Sequence, residues 1–208
     1  MEFFNEVLFQ SDFIINFDVA VYQFFESIAN PVLDQIMKII TFLGDDGIFW
    51  IALSIALLIP KKTRKFGIYI LGGLAVATVI NNLGLKELFA RPRPFNFENW
   101  PETYKYVYPG LVEKPHSLSF PSGHTSTSLG AALPFLMKAN KKASIPVFIL
   151  AILIGLSRIY LHVHYPTDVF AGMIVGIVAG LIAVVLLDKL FFPKLVPAVE
   201  KKLNKKIF

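Results

Sequence analysis

The sequence predicts an all-α protein, an integral membrane bundle of five or six transmembrane helices. Three observations support this fold class. Hydrophobic residues make up 55% of the 208-residue chain and charged residues only 17%, which leaves too little polar surface for a soluble globular protein. Apolar runs long enough to cross a bilayer recur along the chain. Clusters of lysine and arginine separate several of these runs, as expected for cytoplasmic loops.

Residues 1–44 admit two interpretations. This segment is amphipathic in part, is interrupted by Pro31, and carries charged side chains such as Asp18 and Lys38. Such a segment either lies in the membrane interface or forms one further short span, which is why the predicted count is five or six. The acidic N-terminus lacks the basic region and the small-residue cleavage site of a signal peptide.

Five apolar segments follow. The runs 66–85, 143–161 and 169–187 hold about twenty residues each, which at about 1.5 Å per residue covers a hydrocarbon core of about 30 Å. The runs 47–60 and 124–137 are shorter and need tilt, a polar cavity or extra turns. Small residues in these runs would let helix backbones approach closely: Gly72, Gly73, Gly130, Gly172, Gly176 and Gly180.

The positions of the charged residues predict the topology of a multi-pass cell-membrane protein. Lysine clusters at 61–65, at 138–142 and in the C-terminal tail are expected on the cytoplasmic side, which places residues 86–123 and 162–168 on the external face. Without a Pro/Gly/Ser-rich linker or repeat, residues 1–208 are interpreted as one membrane-embedded domain. Six basic residues then lie externally and need another explanation: Lys86, Arg91, Arg93, Lys105, Lys114 and Arg158.

Composition also excludes some functions. The net charge of +5 comes from short basic clusters between apolar runs rather than from one basic face, so no nucleic-acid partner is predicted. The chain has no cysteine, which excludes disulfides and thiolate metal sites. Nothing in the sequence indicates an oligomeric state.

Three polar segments are expected to converge on the external face: KELFARPRP at 86–94, PSGH at 121–124 and SRIYLHVHYPTD at 157–168. Lys86, Arg93 and Arg158 have no obvious carboxylate partner nearby in sequence, and guanidinium groups match the geometry of phosphate oxygens. Ser122 is a natural helix N-cap, Gly123 permits close approach, and the amides that follow would face an anion. The pattern therefore indicates a phosphate site with Lys86, Arg93 and Arg158.

Two histidines could carry chemistry at this site. His124 and His164 can transfer protons or attack phosphorus near neutral pH. Asp168 follows His164 by four residues, so a local turn would let its carboxylate hold one ring nitrogen. We expect the next helix to start at about Asp168 with Thr167 as its cap. His162 lacks a carboxylate at this spacing and His116 has no placed partner, so His164 is favoured over both.

Each feature also fits a structural role when taken alone. Lys86, Arg93 and Arg158 could be interfacial anchors whose charged ends reach water. PSGH could be only a capped helix start, and a lone histidine near a membrane is more often structural than catalytic. The functional interpretation depends on all three segments occurring together.

Their order and spacing resemble the type 2 phosphatidic acid phosphatase family, whose pattern is K-x6-RP, PSGH and SR-x5-H-x3-D. Lys86 to Arg93-Pro94, residues 121–124, and Ser157-Arg158 through His164 to Asp168 match it in full. The resemblance implies that His164 is the nucleophile, oriented by Asp168, and that His124 is the general acid. It further implies phosphate binding by a set of five residues: Lys86, Arg93, Arg158, Ser122 and Gly123.

This resemblance implies an integral-membrane lipid phosphatase acting through a phosphohistidine, without a metal or other cofactor because the cations neutralise the phosphate. Undecaprenyl diphosphate is the favoured substrate, followed by phosphatidylglycerol phosphate and phosphatidate. The aromatic loop 95–110 would be either a substrate gate or an interfacial belt. Arg91 falls outside the family spacing, which selects Arg93.

Two other functions remain as alternatives. A vanadate-dependent haloperoxidase-like enzyme would hold vanadate with the same residues, but such proteins are soluble as a rule. A non-enzymatic transporter would carry polar residues through the middle of its spans, whereas here they gather at one end.

Overall fold

The computed structural model describes residues 9–203 and 206–207, and within them the chain is helical without a β-strand. Four segments are long and apolar enough to cross a membrane: Pro31–Leu58, Arg64–Asn96, Lys141–Tyr160 and Pro166–Lys201. The 16-residue helix Gly123–Lys138 is shorter than these spans, but it packs among them. The prediction of an all-α membrane bundle is confirmed, and the count of five or six is roughly consistent with these elements.

The helices are numbered along the described chain. They are α1 Asp12–Ile28, α2 Pro31–Gly44, α3 Ile48–Leu58, α4 Arg64–Ile80, α5 Lys86–Phe89, α6 Gly123–Lys138, α7 Lys141–Tyr160, α8 Pro166–Leu186 and α9 Val196–Leu203. Short 3₁₀ turns at Asp45–Gly47 and Pro94–Asn96, and π-helical segments at Asn81–Leu85 and Leu187–Leu195, join or extend them.

The structure describes residues 9–44 of the segment whose role the sequence left open, and residues 1–8 lie outside the described residues. Helix α1 is not among the segments long and apolar enough to span; one of its faces is buried at Tyr22, whereas Phe13 on the opposite face is 79% exposed. Helix α2 is followed by α3 after a kink at the 3₁₀ turn, where Asp46 has a φ of 50°, and together they make up the segment Pro31–Leu58, which is long and apolar enough for one span. The segment predicted at 47–60 is therefore only the second half of a span, and its short length is explained.

Small residues let the central helix α6 contact its neighbours at backbone distance. A Cβ atom added at Gly73 of α4 would lie 1.9 Å from the carbonyl oxygen of Gly130 on α6. One added at Gly176 of α8 would lie 2.7 Å from the carbonyl oxygen of Ser126. Both distances are shorter than atoms tolerate, so the close helix approach predicted from these glycines is confirmed.

The two ends of the bundle differ in chemistry. At one end α6 and α8 begin side by side, where the Ser122 N–H donates to the Asp168 carbonyl at 3.0 Å. At the other end the Asp188 carboxylate accepts hydrogen bonds from Tyr69 and Lys138. The lysine clusters at 61–65 and 138–142 lie at this second end, because α4 and α7 begin there. All three motif segments lie at the first end.

Aromatic side chains from the 95–110 loop pack into the protein at the motif end. Trp100 and Tyr106 stack with ring centroids 5.0 Å apart, and both rings contact Tyr22 of α1 at 6.0 Å. Tyr104 is 6% exposed and its hydroxyl donates to Glu26 at 2.7 Å. These rings fix α1 against the turn that carries the histidines.

Candidate active site

His164 lies on the turn between α7 and α8 with its ring held on both sides. It is 1% exposed. Its Nε2 is 2.8 Å from Nη1 of Arg93, and its Nδ1 is 3.2 Å from Oδ2 of Asp168. The Tyr22 hydroxyl donates to the His164 carbonyl at 2.9 Å. The contact between His164 and Asp168 that the four-residue spacing predicted is therefore present. The other ring nitrogen of His164, Nε2, faces the guanidinium of Arg93.

The predicted start of α8 was wrong by two residues. The helix begins at Pro166 with Tyr165 as its N-cap, not at Asp168 with Thr167 as its cap. Proline is favoured at the first helical position because its N–H would be unpaired there. Asp168 consequently occupies the third position of the first turn, where its carboxylate accepts from the Tyr165 N–H at 3.1 Å.

Burial lowers the pKa of His164 well below its ordinary value. The positive charge of Arg93 acts in the same direction, while Asp168 opposes it. The imidazole is therefore neutral at neutral pH. If Nδ1 donates to Asp168, the lone pair lies on Nε2, which is the state that a nucleophile requires.

A buried network behind Asp168 was not predicted. Arg91 donates to Asp168 Oδ1 at 2.7 Å and to Asp18 Oδ2 at 3.1 Å, and its guanidinium lies 3.6 Å from the centroid of the Tyr165 ring. The Ser119 hydroxyl donates to Asp168 Oδ2 at 2.5 Å. Nothing in the local sequence points to Asp18, which is far away along the chain. The only sequence feature that drew attention to Arg91 was its place in the repeated Arg-Pro pair at 91–94.

The three predicted phosphate-binding cations form hydrogen bonds with uncharged groups. Arg93 donates to the carbonyl and hydroxyl of Ser117 at 2.8 and 2.9 Å, and Lys86 reaches the same hydroxyl at 3.3 Å. Arg158 donates to the Thr41 hydroxyl at 2.5 Å, and its buried Nε has no hydrogen-bond partner among the described residues.

Ion pairing distinguishes Arg91 from these three cations. Across residues 9–203 and 206–207, Lys86, Arg93 and Arg158 form no ion pair, whereas Arg91 forms two. The charge of Arg91 is therefore neutralised inside the protein, and the other three charges are available to an anion. This arrangement agrees with the selection of Arg93 over Arg91 by spacing.

The PSGH segment starts α6 beside these cations. A Cβ atom at Gly123 would lie 3.8 Å from Lys86 Nζ, so Lys86 lies beside the first turn of the helix. Ser122 is at the N-cap position, but its hydroxyl accepts from Thr125 at 2.9 Å and the residue is fully buried. The Ser122 hydroxyl therefore faces Thr125 in this structure, and the phosphate contact of Ser122 stays a prediction.

His124 has an acidic partner that the sequence did not reveal. Its Nε2 lies 2.7 Å from Oδ1 of Asp45, in the turn after α2. The ring also packs against Gly44, where an added Cβ would lie 2.8 Å from the His124 Cδ2. The second predicted histidine is thus oriented by a carboxylate, as His164 is.

His124 also lines two cavities. One, of about 1000 Å³, is a groove with mainly apolar walls that include Ile51, Leu74 and Val79, and it ends at Lys86 and Gly123. In the other, of about 440 Å³, a larger share of the lining side chains is charged; its walls are Lys38, Thr41, Phe42, Asp45, Val112, Glu113, Pro115, His124 and Arg158. His124 therefore lies where a cavity with several charged side chains adjoins a groove with aliphatic walls.

Among the described residues, neither of the remaining histidines forms a side-chain hydrogen bond or ion pair with Lys86, Arg93 or Arg158. His162 is buried with its ring 4.5 Å from that of Tyr22, and its Nε2 is 3.8 Å from Glu26. His116 is exposed. The arrangement supports His164 as the reactive histidine.

Comparisons with known proteins agree with this arrangement. The sequence profile of the PAP2 superfamily matches residues 66–192, which include all three motif segments. An undecaprenyl-diphosphatase of Sulfolobus acidocaldarius is 34% identical over 162 residues, 78% of this chain and 74% of that protein. The undecaprenyl-diphosphatase BcrC of Bacillus subtilis is 32% identical over 151 residues, 73% of each chain.

A solved structure is similar over most of the chain. The crystal structure of a transmembrane PAP2 type phosphatidylglycerolphosphate phosphatase from Bacillus subtilis superimposes with a TM-score of 0.65 and 26% identity. The alignment covers 90% of this chain and 94% of that one. The similarity therefore extends beyond the motifs to the helical bundle.

Proposed function

Because this chain belongs to the PAP2 superfamily and is an integral-membrane lipid phosphatase, we propose that it removes the terminal phosphate of a polyprenyl diphosphate such as undecaprenyl diphosphate. The observation that carries the proposal is the position of His164 Nε2, which is next to Arg93 while Nδ1 contacts Asp168. Both relatives compared above by sequence bear the name undecaprenyl-diphosphatase, which favours a diphosphate over phosphatidylglycerol phosphate or phosphatidate.

In the first step His164 Nε2 attacks the terminal phosphorus in line with the oxygen that joins it to the lipid. The N–P bond forms and the P–O bond breaks, while His124 gives its proton to the leaving oxygen. Lys86, Arg93, Arg158 and the backbone at Gly123 stabilise the equatorial oxygens, whose charge develops in the transition state.

The second step reverses these roles. A water gives a proton to His124 and attacks the phosphohistidine, and the P–N bond breaks to release inorganic phosphate and neutral His164. Asp168 holds Nδ1 throughout and stabilises the positive charge on the imidazole while it is phosphorylated. Asp45 holds the ring that transfers both protons.

The apolar groove supports a lipid as the substrate. Aliphatic side chains such as Ile51, Leu71 and Leu74 line it, and Lys86 and His124 stand at its polar end. A polyprenyl chain could lie along these walls while its phosphates reach the cations.

The proposal places the motif end of the bundle, with loop 86–123, on the external face because the lysine clusters lie at the opposite end. It also treats residues 1–208 as one domain.

Phosphate release from a substrate panel tests the proposal. We expect the purified protein in detergent to hydrolyse undecaprenyl diphosphate faster than phosphatidylglycerol phosphate or phosphatidate, with rates unchanged by EDTA. A preference for phosphatidate would contradict the diphosphate assignment. Dependence on an added metal would contradict charge neutralisation by the three cations.

Replacing Asp45 by asparagine tests the proton transfer. We expect kcat on the lipid substrate to fall about 10- to 100-fold, because the general acid loses its orientation and charge partner. Hydrolysis of p-nitrophenyl phosphate should change much less, since nitrophenolate leaves without protonation. Asp12 is exposed in the first turn of α1 and lines neither cavity at His124, so Asp12→Asn provides the control and should behave as wild type. An equal loss on both substrates in Asp45→Asn would contradict the role.

A further inference from the structure

We infer that Lys38 of α2 forms a separate subsite for the second phosphate of a diphosphate substrate, the phosphate that departs with the lipid. This subsite depends on the proposed function and adds a residue that would decide between diphosphate and monophosphate substrates. No motif includes Lys38, and it belongs to the segment whose role the sequence left open.

Helix α2 and the turn that follows it supply three residues to the site. Lys38 and Thr41 are three positions apart on α2, the spacing that places side chains on one face of a helix, and Asp45 follows in the 3₁₀ turn. Thr41 accepts a hydrogen bond from Arg158, and Asp45 contacts His124. Lys38 therefore lies on the same face, one turn further toward the motif end, and it lines the same 440 Å³ cavity.

The charge of Lys38 is unpaired within the described structure. Lys38 belongs to the span Pro31–Leu58 and is only partly exposed, yet it has no hydrogen bond or ion pair among the described residues. Ionisable side chains in spans are costly and usually serve a function. Of the two carboxylates in this cavity, Asp45 is engaged by His124 and Glu113 is exposed at the rim.

The chemistry of the leaving group explains why a cation would be needed here. His124 lines both cavities, so the oxygen that it protonates lies where they meet. In a diphosphate this oxygen is bonded to a second phosphorus, whose other oxygens carry negative charge. In a monophosphate the same oxygen is bonded to carbon and no charge lies beyond it. Lys38 provides positive charge for this second phosphate in the 440 Å³ cavity, beside Arg158, which binds the terminal phosphoryl group, while the larger groove receives the chain.

Kinetics with two substrates test this subsite. For Lys38→Met we expect kcat/KM on undecaprenyl diphosphate to fall about tenfold, the loss of one charge-assisted contact. The value on phosphatidate should stay within about twofold. Lys38→Arg should restore most of the diphosphate activity. Lys105→Met is the matched control, because Lys105 lines a different cavity with Glu26 and His162, and it should leave the ratio of the two substrates unchanged.

Two results would overturn the subsite. An equal loss on both substrates would mean that Lys38 supports the shared phosphoryl site or the fold, and no loss on the diphosphate would mean that Lys38 does not contact it. Inhibition of phosphatidate hydrolysis separates this inference from the proposed function. Methylenediphosphonate should inhibit more strongly than phosphate in the wild type, and Lys38→Met should remove that difference. If the wild type cannot cleave undecaprenyl diphosphate but shows this difference, the proposed function fails and the subsite stands.

Discussion

Replacing His164 by alanine is expected to abolish phosphate release from the lipid substrate, with a loss of at least about a thousandfold. The variant lacks the only imidazole that lies between Arg93 and Asp168 among the described residues. The protein should remain folded, because the Asp168 carboxylate keeps its hydrogen bonds from Arg91, Ser119 and the Tyr165 N–H. Phosphate release and thermal unfolding in detergent measure the two effects.

His162→Asn is the matched control for this experiment. His162 lies two residues away with a φ of 55°, a conformation that asparagine tolerates better than most residues, and its ring faces Tyr22 rather than the cations. We expect this variant to keep its activity within about fivefold.

Trapping of the phosphorylated protein gives a second measurement. Acid-labile phosphate trapped on the wild-type protein should be absent in His164→Ala. Substantial turnover by His164→Ala would refute the nucleophile assignment.

Replacing Arg91 by methionine should remove both stability and activity. Arg91 pairs with two buried carboxylates, Asp18 and Asp168, and stranding buried charges in this way costs about 3–5 kcal/mol. Burial raises the pKa of Asp18 to about 6 even though Arg91 opposes the shift, so without Arg91 this pKa rises further and Asp18 takes up a proton near neutral pH. We expect a clear fall in the unfolding temperature together with loss of phosphate release.

Arg93→Met provides the contrast within the same RPRP sequence. Within the described part of the chain, Arg93 contacts carbonyl and hydroxyl groups but no carboxylate, so its removal should abolish activity with a much smaller loss of stability. The double variant Asp18→Asn with Arg91→Met should regain part of the stability but not the activity, because Asp168 still lacks its guanidinium. If Arg91→Met kept full activity, the network would not position Asp168 for catalysis.

The sequence alone was sufficient for features that depend on local pattern. Uninterrupted apolar runs predicted the membrane bundle, and the glycines of α4, α6 and α8 predicted its close packing. The four-residue spacing from His164 to Asp168 predicted their contact because a single turn brings such positions together. The family pattern selected Arg93 over Arg91, and the ion pairs of the structure agree with that selection.

Only the tertiary structure decided which charges are neutralised and which remain free. Asp18 pairs with Arg91 and Asp45 with His124, whereas Lys38 has no partner in the part of the chain that the structure describes. Nothing near these residues in the sequence distinguishes the three cases. Their partners lie on other helices, so the contact depends on how whole helices pack. Local periodicity determines which face of a helix is apolar, whereas the pairing of a buried charge depends on the particular neighbour that packing brings within hydrogen-bond distance.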